Sequence, residues 1–356
     1  MNIEISNMNK HFLYDLDNNQ DMADQEDIHN IKSKIINYCF YSINEGIISD
    51  KIKEIPYYSN KYSIVETYDF IDIGELNEKT IQKLSLTNDN KYLIFKYKKE
   101  NVIAFNDFLF HLSNPNIFLF YVIESFTYLL NSLILLSNKG VCFFNLSPEN
   151  IVFNLDNGEK PFLTNLKCSL LVHKLNEDYI THIISKTTNY THKPFEVHIL
   201  FYLIQNEIST LSSSFIQEIS TTFINNLSIL QFFSEKYKEN YRILCEESMK
   251  KYINKSKEYI IQDLLKQNDT WDVYSISVLY LHIFANFSKC FSLKQTSINQ
   301  IILELAKNIH PDPSKRGRLQ NVCENIHKIV ENEKDWSFIN QLDINKMSEL
   351  FAILDE

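Results

Sequence analysis

The chain has 356 residues, 44% of them hydrophobic and 22% charged, with a formal net charge of -10. That balance describes a globular chain with a large core and excludes a wholly disordered one. The acidic surplus disfavours non-specific attraction to nucleic acid or an acidic membrane, although a local basic patch stays open. Only five glycines occur, which argues against a glycine-built phosphate loop.

Residues 1–27 are polar and acidic, with Asp15, Asp17, Asp21, Asp24, Glu26 and Asp27, and read as a flexible arm with neither a signal peptide nor strands to offer a sheet. Asp27 then caps a helix predicted over 28–41, with Ile28, Ile31 and Ile35 on one face. Two strands are predicted at 62–73 and 91–98, separated by a turn-rich stretch ending in Asn88-Asp89-Asn90. A short helix follows at 105–111, and a long apolar one at 117–136 reads as core because Glu124, Ser125, Asn131 and Ser132 interrupt it. Beyond it come strands at 151–154 and 161–164, joined by an Asp156-Asn157-Gly158 turn. Helices are predicted at 215–233, 237–265, 269–285, 299–309 and 319–333, and the tail 334–356 is weakly patterned. The six cysteines show no CxxC and no histidine at metal-ligand spacing, so they read as reduced and mostly buried, with no metal site.

Several short motifs recur in a meaningful order. The stretch 141–153 (VCFFNLSPENIVF) follows the long helix and contains Asn145, Ser147 and Asn150. Asn165-Leu166-Lys167 follows the second strand of the hairpin, and Lys193-Pro194-Phe195-Glu196 comes later. Asp272-Val273-Tyr274-Ser275 opens a helix, and Asp312-Pro313-Ser314-Lys315-Arg316 comes near the end. In this order they resemble the landmarks of eukaryotic-type protein kinases: catalytic loop, Asp-Phe-Gly, Ala-Pro-Glu, Asp-Val-Trp-Ser and Asp-Pro-x-x-Arg. The resemblance implies an α+β fold with a reduced small lobe (28–100) and a mainly helical large lobe (101–333). It leaves a helical insertion at about 205–267, because 76 residues separate Glu196 from Asp272. No strand with a phosphate-contacting lysine is read ahead of the 28–41 helix, so the small lobe reads as truncated.

The same resemblance implies lost chemistry. Phe143, Phe144 and Asn145 stand at the His-Arg-Asp positions, Ser147 at the lysine, Asn165 at the magnesium-binding aspartate and Lys167 at the glycine; Asn150 alone keeps its residue. A neutral amide does not take a proton from a hydroxyl near neutral pH, and magnesium sites lean on carboxylates and phosphate. Ser147 supplies no cation for a transferred phosphate. The three asparagines also suit plain turn-capping roles. Asp272, Glu196 and Arg316 are implied to be architectural, with the aspartate supporting the loop from below and the last two pairing.

Two functions stay open. One is a catalytically inactive kinase-like protein without cofactor, binding a protein partner as a scaffold or structural component. The other is an unorthodox serine/threonine kinase or nucleotide switch using Asn150, Asn165 and Lys167 with ATP and magnesium. Composition and degraded motifs also resemble kinase-like proteins of large DNA viruses, which implies an intracellular or virion location rather than secretion. No nucleic acid or membrane span is expected, and oligomeric state stays open. Phe223 and Leu230 lie on an apolar face with Phe215, Ile219, Leu227 and Phe233, expected to be either the partner surface or core.

Overall fold

The computed structural model describes residues 12–14, 31–186, 191–206, 208–293, 296–333 and 336–355. Four strands, Phe12–Tyr14 (β1), Ile31–Asn37 (β2), Val65–Ile71 (β3) and Tyr92–Lys98 (β4), form an antiparallel sheet in the order β1-β2-β4-β3. This overturns the helix expected at 28–41 and the absence of a strand ahead of it. Isoleucines at 31 and 35 suit either period, but their β-branched side chains favour the pleated backbone, and β2 is paired along both edges. Part of the expected acidic arm thus joins the sheet as β1; the remainder of 1–27 lies outside the described residues.

The helix begins later, as Phe40–Lys53 (α1), because the N–H of extended Cys39 donates to Ser42 Oγ at 2.9 Å and starts it there. It packs on one sheet face so closely that a Cβ at Gly46 would come 2.8 Å from the Tyr68 ring. A second helix, Glu78–Leu84 (α2), lies within the stretch expected to be turns. Asn77 caps it by accepting from the Thr80 N–H at 2.8 Å, and Leu84 joins Ile35 and Tyr92 on the opposite sheet face.

Below the sheet the chain is mainly helical. Val102–Ala104 (β5) leads into Phe105–His111 (α3) and Pro115–Asn138 (α4). α4 is the one described helix long and apolar enough to cross a membrane, yet Phe118, Phe126, Leu129 and Leu133 on it are fully buried in the main core. Short strands follow: Val141–Cys142 (β6), Ile151–Asn154 (β7), Lys160–Leu163 (β8) and Leu170–Leu171 (β9), paired as β5-β7-β8 and β6-β9. The helices Glu177–Lys186 (α5), Phe195–Gln205 (α6), Ser213–Asn226 (α7), Glu235–Met249 (α8) and Lys257–Leu265 (α9) come next. Trp271–Cys290 (α10) is buried nearly all round, as a central core helix must be. Ser297–Asn308 (α11) and Leu319–Asn332 (α12) follow it. The architecture is α+β.

Two further expectations change, and one left open is decided. The predicted helix at 237–265 is two helices, broken where Asn254 takes a left-handed φ of 59° and Ser256 caps α9. The weakly patterned tail contains Met347–Asp355 (α13), with Leu350 fully buried and Phe351 against Phe110 and Phe118. Phe223 and Leu230, 2% and 1% exposed, are core. The Phe223 ring lies 5.2 Å from Phe195 and 4.8 Å from His198, so the insertion folds this apolar face onto α6 rather than presenting it to a partner.

Candidate functional site

The loop between β6 and β7 is held from beneath by α10. Asp272, in the first turn of that helix, accepts the N–H groups of Phe143 and Phe144, both at 2.7 Å. Burial raises the Asp272 carboxyl above its usual range, and the two N–H groups oppose this. Phe144 sits at a φ of 61°, a strained position for an aromatic residue, and the next N–H, of Asn145, turns back onto Phe143 O at 2.6 Å. Lys193 has a part here that its motif does not imply. Its buried ammonium donates to Phe144 O and lies 4.2 Å from the centre of that ring. Burial lowers the Lys193 ammonium to about 8, with Asp272 nearby holding it up.

The side-chain amide of Asn150 is the centre of a neutral hydrogen-bond network. Asn150, buried on the 3-10 turn after Pro148, donates to Asn145 O at 2.7 Å and to Ser147 Oγ at 3.1 Å. Its own Oδ1 accepts from Asn165 Nδ2 at 2.7 Å. Asn165 stands at a φ of 59°, a region asparagine tolerates better than most residues. Asn145, Ser147, Asn150 and Asn165 are therefore brought together, and Lys167 follows on the wall of an adjoining cleft. A magnesium ion fits this set poorly. Asn150 Oδ1 is already engaged, and Asn165 has only a neutral oxygen to offer.

Farther from the loop, Glu196 and Arg316 form a bidentate pair at 2.6 and 2.8 Å, both side chains fully buried. The guanidinium also donates to His310 O, Pro311 O and Thr270 Oγ1, so it spans three segments.

Between the sheet and the β7–β8 hairpin lies a cleft of about 650 Å³, of the size that holds small ligands. Five lysines, Lys32, Lys34, Lys98, Lys99 and Lys167, and two glutamates, Glu45 and Glu100, line it, leaving a local positive surplus in an acidic chain. Glu45 is raised to about 7, mainly by burial, with Lys167 and then Lys34 pulling it back. Lys34 is lowered mainly by burial, and Glu100 is raised mainly by burial. The signal missed in the sequence is the period of two in Ile31-Lys32-Ser33-Lys34-Ile35: on a strand, alternate positions share a face, so Lys32 and Lys34 point the same way.

One more link joins the cleft to the segment beyond it. Asn44 on α1 donates to Lys167 O at 3.0 Å and Ser169 O at 2.9 Å, and its oxygen accepts from Tyr179 OH on α5 at 2.6 Å. No family model matches the chain, and no curated protein matches it.

Proposed function

We propose that this chain is a catalytically inactive protein kinase-like protein that works by binding, as a scaffold or structural component for a protein partner, rather than by transferring phosphate. The observation that carries the reading is the amide network. At the two positions where the resemblance calls for metal ligands, Asn165 donates to Asn150, which itself donates to Ser147 Oγ and to the backbone carbonyl of Asn145, and at the position of the base Asn145 offers only a neutral amide. Supporting it, the buried carboxylate of Asp272 and the Glu196–Arg316 pair stand where such a protein keeps its frame. The likeness of composition to kinase-like proteins of large DNA viruses extends the proposal to a virion or infected-cell setting.

The test is a thermal-shift and phosphate-transfer assay with ATP and magnesium. No magnesium-dependent stabilisation and no labelling of itself or a generic protein substrate are expected, since each missing charge removes on the order of 3 kcal/mol of transition-state stabilisation. Asn145→Asp with Asn165→Asp leaves transfer absent, because Ser147 still supplies no cation.

A second reading, a nucleotide switch or unorthodox kinase using Asn150, Asn165 and Lys167, is favoured by the lysine-lined cleft. Lys34, one strand ahead of the helix that carries Glu45, has the order of the lysine and helix glutamate in the resembled family. Magnesium-dependent ATP binding at micromolar concentration, abolished by Asn165→Ala, would promote this reading over the first.

A further inference from the structure

We infer that a groove along the helical insertion is the docking surface for a protein partner, which presents an extended segment with a bulky apolar residue beside an aspartate or glutamate. This deepens the proposal above, that the chain works by binding a protein, and rests on it. Two adjoining depressions make the groove. One, of about 520 Å³, lies between α7 and α8, with Ile224, Leu227 and a charged stripe of α8 among its lining residues. The other, of about 390 Å³, lies where the 3-10 turn Ser228–Phe232 meets α10 and α11, and is lined mainly by Phe232, Phe233, Leu281, Ala285 and Ile302. Gln231 lines both and joins them.

The two halves differ in charge. In the first, Lys238 pairs with Glu235, and Arg242 pairs with Glu239 and Glu246. In the second, the apolar walls around Ala285 make a seat for one bulky side chain. Lys289 lines that seat too, exposed at the C-terminal end of α10, and its ammonium has no hydrogen bond and no ion pair among the described residues. Charge is answered within the first half and unanswered in the second, so Lys289 draws a carboxylate from the partner.

Asn225 and Gln231 select the backbone form of the guest. Both side-chain amides are exposed on the groove, and neither makes a hydrogen bond among the described residues. A side-chain amide donates and accepts at once, which matches the open N–H and C=O groups of a strand-like segment. A helix keeps those groups engaged internally and has little to give such amides.

The test is selection from a random dodecapeptide display library on the full chain, with the soluble Lys289→Glu chain present as competitor to remove binders of other surfaces. Enriched sequences should share a Phe, Leu or Ile within two residues of an Asp or Glu. A fluorescein-labelled consensus peptide, read by anisotropy, should bind the wild type and lose at least about tenfold in affinity on Lys289→Glu, as truncation or reversal of one charge partner does. Exchanging the acid of the peptide for lysine should restore binding to Lys289→Glu. Ala285→Gln, which fills the seat, should abolish binding at an unchanged melting temperature, and Gln231→Ala should weaken it about threefold to tenfold, one or two hydrogen bonds' worth.

Enrichment without convergence, convergence on sequences lacking the acid, or equal binding by Lys289→Glu overturns the inference. So does a concentration-dependent dimer in sedimentation that Ala285→Gln abolishes, because the groove then belongs to a second copy of the chain. The thermal shift with ATP and magnesium separates the two proposals. A magnesium-dependent shift defeats the inactive-kinase reading whatever the peptides do, whereas failed selection with no such shift defeats only this inference.

Discussion

The loop at 143–150 is supported from two sides by opposite means. Beneath it stand buried charges, Asp272 on the backbone of Phe143 and Phe144 and Lys193 on the Phe144 carbonyl. Toward the cleft stand neutral amides, Asn165 on its wall and the buried Asn150 behind it. A buried charge is tolerated only where every partner is in place, so the lower side fixes a shape. Amides can trade donors and acceptors at little cost, so the upper side completes a turn and offers little to a cation or a transferred proton. Scaffold and chemistry are separate properties of the same loop.

The sharpest way to break the comparison is at the Glu196–Arg316 pair. Glu196→Gln leaves a buried guanidinium without its counter-charge and should cost about 3–5 kcal/mol, read as a lower denaturant midpoint with unchanged slope. Asp272→Asn should follow at about 2–3 kcal/mol, because one of its two buried N–H groups loses its acceptor. Its proteolysis pattern should show cleavage first within 141–154.

Glu45→Gln should act with the opposite sign. The folded-state carboxyl lies near 7, above its ordinary value, so the ionised form is disfavoured by folding, and wild-type stability falls as pH rises from about 4.5 to about 7. The substitution should therefore change nothing at pH 4 and stabilise by about 1–2 kcal/mol at pH 8, part of the gain being offset because Lys34 and Lys167 lose a counter-charge. A destabilised variant at pH 8 would mean that the carboxylate is a needed partner. Smallest of all, Asn165→Gly, which accepts the left-handed φ of 59° without strain, should cost about 1 kcal/mol, one neutral hydrogen bond at a partly buried site. A loss as large as that of Asp272→Asn would erase the distinction between the two sides.

Where a residue has one chemical role, the sequence spoke clearly. The roles of Asp272, Glu196 and Arg316 were legible only through the resemblance of the motifs that hold them, and the structure brings Asp272 beneath 143–144 and pairs the other two. Where two periods fit, it did not. Ile31 and Ile35 suit a helix or a strand, and only pairing with β1 and β4 decides between them. An amphipathic face such as that of Phe223 and Leu230 reports that something covers it without reporting what. The lysines of the cleft escaped notice for a related reason, since a lysine reads as a solvated surface group until the strand that aligns it is known.

Asn44 carries a consequence for rates. Its three hydrogen bonds tie α1 to the carbonyls at 167 and 169 and to Tyr179, so the wall bearing Glu45 and the wall bearing Lys167 are riveted together before anything arrives. On the nucleotide reading, a guest meets a cleft already at its bound width, and capture is a single bimolecular encounter with no isomerisation in series. Stopped-flow traces should then be single-exponential, with an observed rate linear in ligand concentration up to the instrument limit and steeply slowed by salt, as steered encounters are. Asn44→Ala cuts the rivet and should bend that line into a plateau, the signature of a wall that must close first.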